Sequence, residues 1–159
     1  MNQIRRIVTS HDGSGLARIT SDAKIAIPPL PGLDAQGAVV WTTASVPADN
    51  TSDSQGDLRD VGATIRGGSV FRITDFGPGF ESPMHRTHSI DYCAVISGKL
   101  ELVLDGGEVV ELEPGDVVVQ RGTNHVWRNP SSDTNCRIIV CMIEAFPVAI
   151  DGTALEQQF

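Results

Sequence analysis

Residues 82 to 92, "SPMHRTHSIDY", place His85, His88 and Asp91 within seven positions, and His125 follows downstream in "RGTNHVWRN". The chain has only four histidines, so three of the four fall in these two stretches. Neutral imidazoles and a carboxylate are the donors that Fe(II), Mn(II), Ni(II) or Zn(II) accept. A site of this kind leaves coordination positions open for substrate or dioxygen, and His88 or Asp91 could move a proton there. The alternative is a set of polar groups hydrogen-bonded inside a pocket that holds an organic ligand without metal. The candidate metal ligands are therefore His85, His88, Asp91 and His125. Met84, Thr87, Arg121 and Trp127 are the candidate substrate contacts around them.

Whether these residues meet depends on the elements that carry them. No stretch sustains an apolar repeat of 3.6 residues, whereas short runs rich in Val, Ile, Leu and Thr are separated by Gly, Pro, Asp and Asn. From about residue 68 seven such runs follow in close order: "SVFRITDF", "IDYCAVIS", "KLELVLD", "EVVEL", "DVVVQ", "NHVWRN" and "CRIIVCMIEA". Seven short strands at this spacing predict an all-β sandwich or small barrel. "DGG" at 105 to 107 supplies a tight hairpin, and "EPGD" at 113 to 116 a turn in which Gly115 is free to take positive φ.

Side chains alternate along a strand, so parity sorts the candidates. His85 and Thr87 point one way and Arg86 and His88 the other. Asp91, Cys93 and Val95 share a face, and so do His125 and Trp127. His85, Asp91 and His125 can all face one interior, while His88 joins them only through a bulge between residues 86 and 90. Trp127 is either an aromatic wall for substrate or barrel filling, and Arg121 at the rim could pair a substrate carboxylate. Tyr92 and Met84 alternate with the site residues and are expected in the core or an interface.

Gly79, His85, Thr87, Asp91 and Gly98, followed by Gly115-Asp116, Gly122, His125 and Asn129, resemble the two motifs of the cupin superfamily over residues 70 to 145. The resemblance implies a double-stranded β-helix, a jelly-roll-like barrel of antiparallel strands. It also implies a divalent transition metal held by His85, Asp91 and His125. Thr87 stands where the family has its second histidine, and Asp91 is one methylene shorter than the family's glutamate. Oxygenation, isomerisation, decarboxylation and dehydration are all compatible with the resemblance. So is a non-catalytic small-ligand sensor or carrier.

The domain organisation expected is an N-terminal extension over 1–66, a barrel over 67–146 and a tail over 147–159, either a short helix or an arm. In the extension, "RRIVTS" and "LARITS" look like short strands, "IAIPPLPGL" is a stiff loop and "GAVVWTTASV" a strand that must bury itself somewhere. In this superfamily such strands often add to a neighbour's sheet, so a homodimer is expected. A net charge of −8 with scattered basic residues argues against nucleic acid and anionic membrane surfaces. No apolar run suits a signal peptide or membrane span, which makes a cytoplasmic location the default. The three cysteines lack CxxC spacing and suit reduced thiols in a core.

Overall fold

The computed structural model describes residues 3–159, and every element in it is a strand. The chain opens with an antiparallel hairpin, β1 (Gln3–His11) and β2 (Ala17–Ala26), with a bulge between Val8 and Thr9. The barrel strands are β3 (Ala35–Thr43), β4 (Ser69–Phe76), β5 (Ser89–Ser97), β6 (Leu100–Leu104), β7 (Val109–Leu112), β8 (Val117–Arg121), β9 (His125–Arg128) and β10 (Cys136–Glu144). All seven runs from residue 68 onward are strands. Two sheets form, one in the order β3-β4-β10-β5-β8 and one in the order β7-β6-β9. Every pairing between strands is antiparallel.

Alternation builds the core. Val95, Cys93 and Asp91 on β5 lie in register with Ile138, Val140 and Met142 on β10, which in turn face Thr74, Arg72 and Val70 on β4. The opposite sheet contributes Leu100, Leu102 and Trp127, and the two inner faces pack into one cluster with Phe76, Phe80 and Leu112. Turn chemistry is as the sequence demands. Gly115 has φ +99° in the "EPGD" turn. Gly98 has φ +78°, and a Cβ there would lie 2.4 Å from the Asn135 carbonyl oxygen, so a larger residue would push the β5–β6 turn off β10.

Three expectations are narrowed. The strand in "GAVVWTTASV" is β3, and it buries itself in its own chain, pairing with β4 from Ala35↔Phe76 to Thr43↔Ser69. The tail forms no helix: β11 (Ala149–Ile150) and β12 (Thr153–Ala154) make a small hairpin, and residues 155–159 then run back over the barrel. Of the two places expected for Tyr92, the core is excluded: it lies on the outer face of β5, 48% exposed and opposite Val119, because odd-numbered Asp91 and Cys93 take the inner face. Residues 47 to 60 form a surface loop fixed by Asp53, which pairs with Arg59 and accepts from the Ala44 amide, and by the Gly56 carbonyl, which accepts from the Thr42 hydroxyl. Among the described residues no helix is long and apolar enough to cross a membrane.

Candidate functional site

The barrel encloses a cavity of about 300 Å³. Its wall is mostly apolar, including Phe76, Phe80, Trp127, Ile138, Val140 and Met142, and its polar groups include His85, Thr87, Asp91, His125 and Arg72. The volume is at the low end of the range of about 300–1,000 Å³ typical of small-molecule sites.

His85 and His125 are held side by side by the backbone. Each donates its amide to the other's carbonyl, both at 2.9 Å, in an isolated bridge between the segment before β5 and the start of β9. The ring centroids are consequently 4.2 Å apart, tilted by 46°. Nδ1 of His85 lies 2.9 Å from the Pro83 carbonyl, and Nδ1 of His125 lies 3.0 Å from the Thr123 carbonyl. A carbonyl only accepts, so each Nδ1 carries the hydrogen and each Nε2 keeps its lone pair. The Gln120 amide nitrogen is also near His125 Nδ1, but its two hydrogens go to the Thr123 carbonyl and hydroxyl. Trp127 meets His125 edge-on, with centroids 5.3 Å apart.

Electrostatics follow from burial. Desolvation pushes His125 down to about 4, assisted by charge on His85 and opposed by the Thr123 carbonyl, so the ring is neutral near neutral pH. Asp91 is 6% exposed, and burial raises its pKa against a Ser89 hydrogen bond and the charges of His85 and Arg72. Ser89 also shares a 2.8 Å hydrogen bond with Thr87, which links Thr87, Ser89 and Asp91 in one chain of hydroxyls and carboxyl. Oδ1 of Asp91 is buried without a partner. Cys93 lines the cavity, but burial pushes its thiol up to about 12, so it is no nucleophile near neutral pH.

Parity sorted the candidates as the sequence implied. His85, Thr87, Asp91, His125 and Trp127 line the cavity. His88 does not: the chain makes no bulge, and His88 faces a second pocket with Arg86, Arg121 and Phe146. Its Nε2 lies 3.0 Å from the Leu155 carbonyl, which ties down the tail. Arg121 is exposed over that second pocket, since Gln120 holds the inward position opposite Asp91. Met84 lines neither pocket. Sequence reading missed Arg72. The available signal was its parity, because Arg72 alternates with Val70 and Thr74 in "SVFRITDF". Phe159 was also missed; it reaches the cavity because Gln158 and Arg86 exchange backbone hydrogen bonds at 2.9 and 3.0 Å.

Among the described residues no group of three or more His, Cys, Asp or Glu is placed to hold a metal ion. His85, His125 and the Asp91 carboxyl share the cavity, whereas the Thr87 hydroxyl is bonded to Ser89 and His88 faces the second pocket.

The cupin domain family matches residues 72–142, the span of β4 to β10. A phomopsin biosynthesis cluster protein, C', of Diaporthe leptostromiformis is 45% identical over 157 residues, 94% of this chain and 83% of that protein. The cupin-domain-containing oxidoreductase fogC of Aspergillus ruber is 30% identical over 162 residues, 98% of this chain and 80% of its own. The chain belongs to the cupin superfamily. The fold agrees: the cupin domain of Schizosaccharomyces pombe Cnp3 superposes with a TM-score of 0.54 at 11% identity, covering 91% of this chain and 88% of that one.

Proposed function

We propose that this cupin is an enzyme that moves protons on a small, largely apolar organic molecule held inside the barrel. The observation that carries the reading is the pair of imidazoles with both Nδ1 atoms tied to backbone carbonyls, next to a buried carboxyl with an unpartnered oxygen. His125 and His85 offer Nε2 as bases, and Asp91 returns or receives the proton; groups so placed contribute roughly 10²–10⁴-fold each. An isomerisation or dehydration needs only such transfers, with no added oxidant. Relatives whose names assign them to biosynthesis clusters support a small-molecule substrate. The oxidoreductase name of the Aspergillus ruber relative favours oxidation instead, which would need an oxidant from outside the residues described.

Purified protein incubated with a fraction of apolar metabolites is expected to convert one compound to a product of unchanged mass or one lacking water, while His125→Gln and Asp91→Asn leave it untouched. Conversion equally fast with both variants would sink the proposal, and a compound retained but returned unchanged would make the protein a carrier. A gain of oxygen would support the oxidative reading. In parallel, protein loaded with Fe(II), Mn(II), Ni(II) or Zn(II) and desalted should retain well under one equivalent. A full equivalent lost on His125→Ala would restore the metal site.

The homodimer is kept as a proposal on a new surface. Tyr92, Ile96, Val117 and Val119 form an exposed apolar patch on the outer face of β5 and β8, and β8 is a sheet edge. Such a face with an open edge favours a second copy. Light scattering is expected to give twice 17.0 kDa at micromolar concentration, with Val119→Asp shifting it toward the single mass. A single mass for the unmodified chain contradicts pairing.

A further inference from the structure

We infer that Arg72 and Asp91 together form the recognition site for one acidic hydroxyl group, so that the ligand is a small apolar molecule bearing a phenol, an enol or a carboxylic acid. The inference rests on the barrel cavity being the working site and adds the class of molecule that enters it.

Two features make this a built site. Arg72 projects into the barrel from β4, in register with Val140 and, across it, with Cys93, one inward position from Asp91. Its guanidinium is fixed at the far end, where Nη2 donates to the Gly62 carbonyl at 2.5 Å and the Ala63 carbonyl at 3.3 Å. Nε is nevertheless buried with no partner, and so is Oδ1 of Asp91. Both residues line the same cavity, and Asp91 is the charge that acts on Arg72.

A buried donor and a buried acceptor left open cost about 1–3 kcal/mol each unless something bonds them. One ligand oxygen meets both needs: it accepts from Arg72 Nε–H and shares its own proton with Asp91 Oδ1. The ligand and Asp91 carry one proton between them, and whichever oxygen loses it gains the negative charge that Arg72 stabilises. A plain ether or ester accepts from Arg72 but leaves Asp91 open, and an aliphatic alcohol gains little from the cation. Phe76, Phe80, Trp127 and Met142 make most of the remaining wall apolar, which suits an apolar body behind that one oxygen.

The test uses para-cresol and phenylacetate with their methylated counterparts, para-methylanisole and methyl phenylacetate, and reads binding by calorimetry on the full chain. Charged hydrogen bonds of about 1.5–3 kcal/mol correspond to a preference of at least about tenfold for the parent compounds. Arg72→Met should bring parent and methylated probes to within about threefold. A preference for para-cresol alone assigns the phenol or enol branch, and for phenylacetate alone the carboxylic acid branch. Equal binding of parent and methylated probes to the unmodified chain, or no binding of any, overturns the inference. That comparison needs no variant, so a misfolded Arg72→Met cannot mask the answer. A tenfold preference with no compound of the metabolite fraction converted would defeat the enzymatic proposal and leave this one standing, whereas conversion without preference would do the reverse.

Discussion

Replacing Asn129 with alanine is expected to cost about 3–5 kcal/mol of folding stability, because a fully buried amide with several partners is removed. Asn129 is 0% exposed, and its Nδ2 sits against three carbonyls, those of Gly77 and Thr134 at 2.9 Å and Phe76 at 3.1 Å. Oδ1 accepts the Ser131 amide at 3.0 Å. The side chain thus ties the end of β4 to the loop between β9 and β10, and the segment after β4 leads to Phe80 in the cavity wall. Alanine leaves these carbonyls and an amide in a space without water. Aspartate should be no better, since it keeps the Ser131 contact but turns an acceptor toward carbonyl oxygens. Urea unfolding of the purified variants measures this directly. A loss below about 1 kcal/mol would mean the loop relaxes freely and that the motif asparagine has no structural role.

The second large effect is an acid-sensitive stability carried by His125. Its folded-state value of about 4 lies below the ordinary 6.5, so the unfolded chain binds more protons between these limits. The stability contributed by the neutral ring is complete above about 6.5, declines as pH falls, and is gone below about 4. At about 1.36 kcal/mol per unit the total is roughly 3 kcal/mol. Asp91 acts in the opposite sense: its folded value is raised, so acid favours the native state over the interval above 3.8 and trims the loss. His125→Gln keeps a donor for the Thr123 carbonyl but cannot titrate. Its urea midpoint should fall much less than that of the unmodified protein between about pH 7 and pH 4.5. Parallel acid limbs in the two proteins would assign the sensitivity elsewhere.

The same ring links the two halves of the site. His125 is pushed down by burial and by His85 beside it, so its ring is neutral near neutral pH. Asp91 moves the other way for the same reason, desolvation of its charged form. Burial, the largest cause in both cases, thus moves an imidazole and a carboxyl of one cavity in opposite directions.

Composition and periodicity by themselves determined that this chain is mainly strand, because short runs rich in Val, Ile, Leu and Thr, such as "CRIIVCMIEA", recur between turn residues with no 3.6-residue apolar repeat. Alternation, a local property, also gave the shared face of His85, Thr87, Asp91, His125 and Trp127, and left His88 open. The two motifs carried the family. Tertiary structure alone decided the rest. Whether His88 bulged inward depended on an acceptor 67 residues away, the Leu155 carbonyl, which holds it outside. Whether β3 joined its own sheet depended on the free edge of β4. Arg72 became a site residue only when its strand was laid two places from β5, which brought an unpaired guanidinium nitrogen and an unpaired carboxylate oxygen into one cavity. Alternation is written in neighbouring residues; convergence is a matter of strand order and register across the sheet, which no local pattern contains.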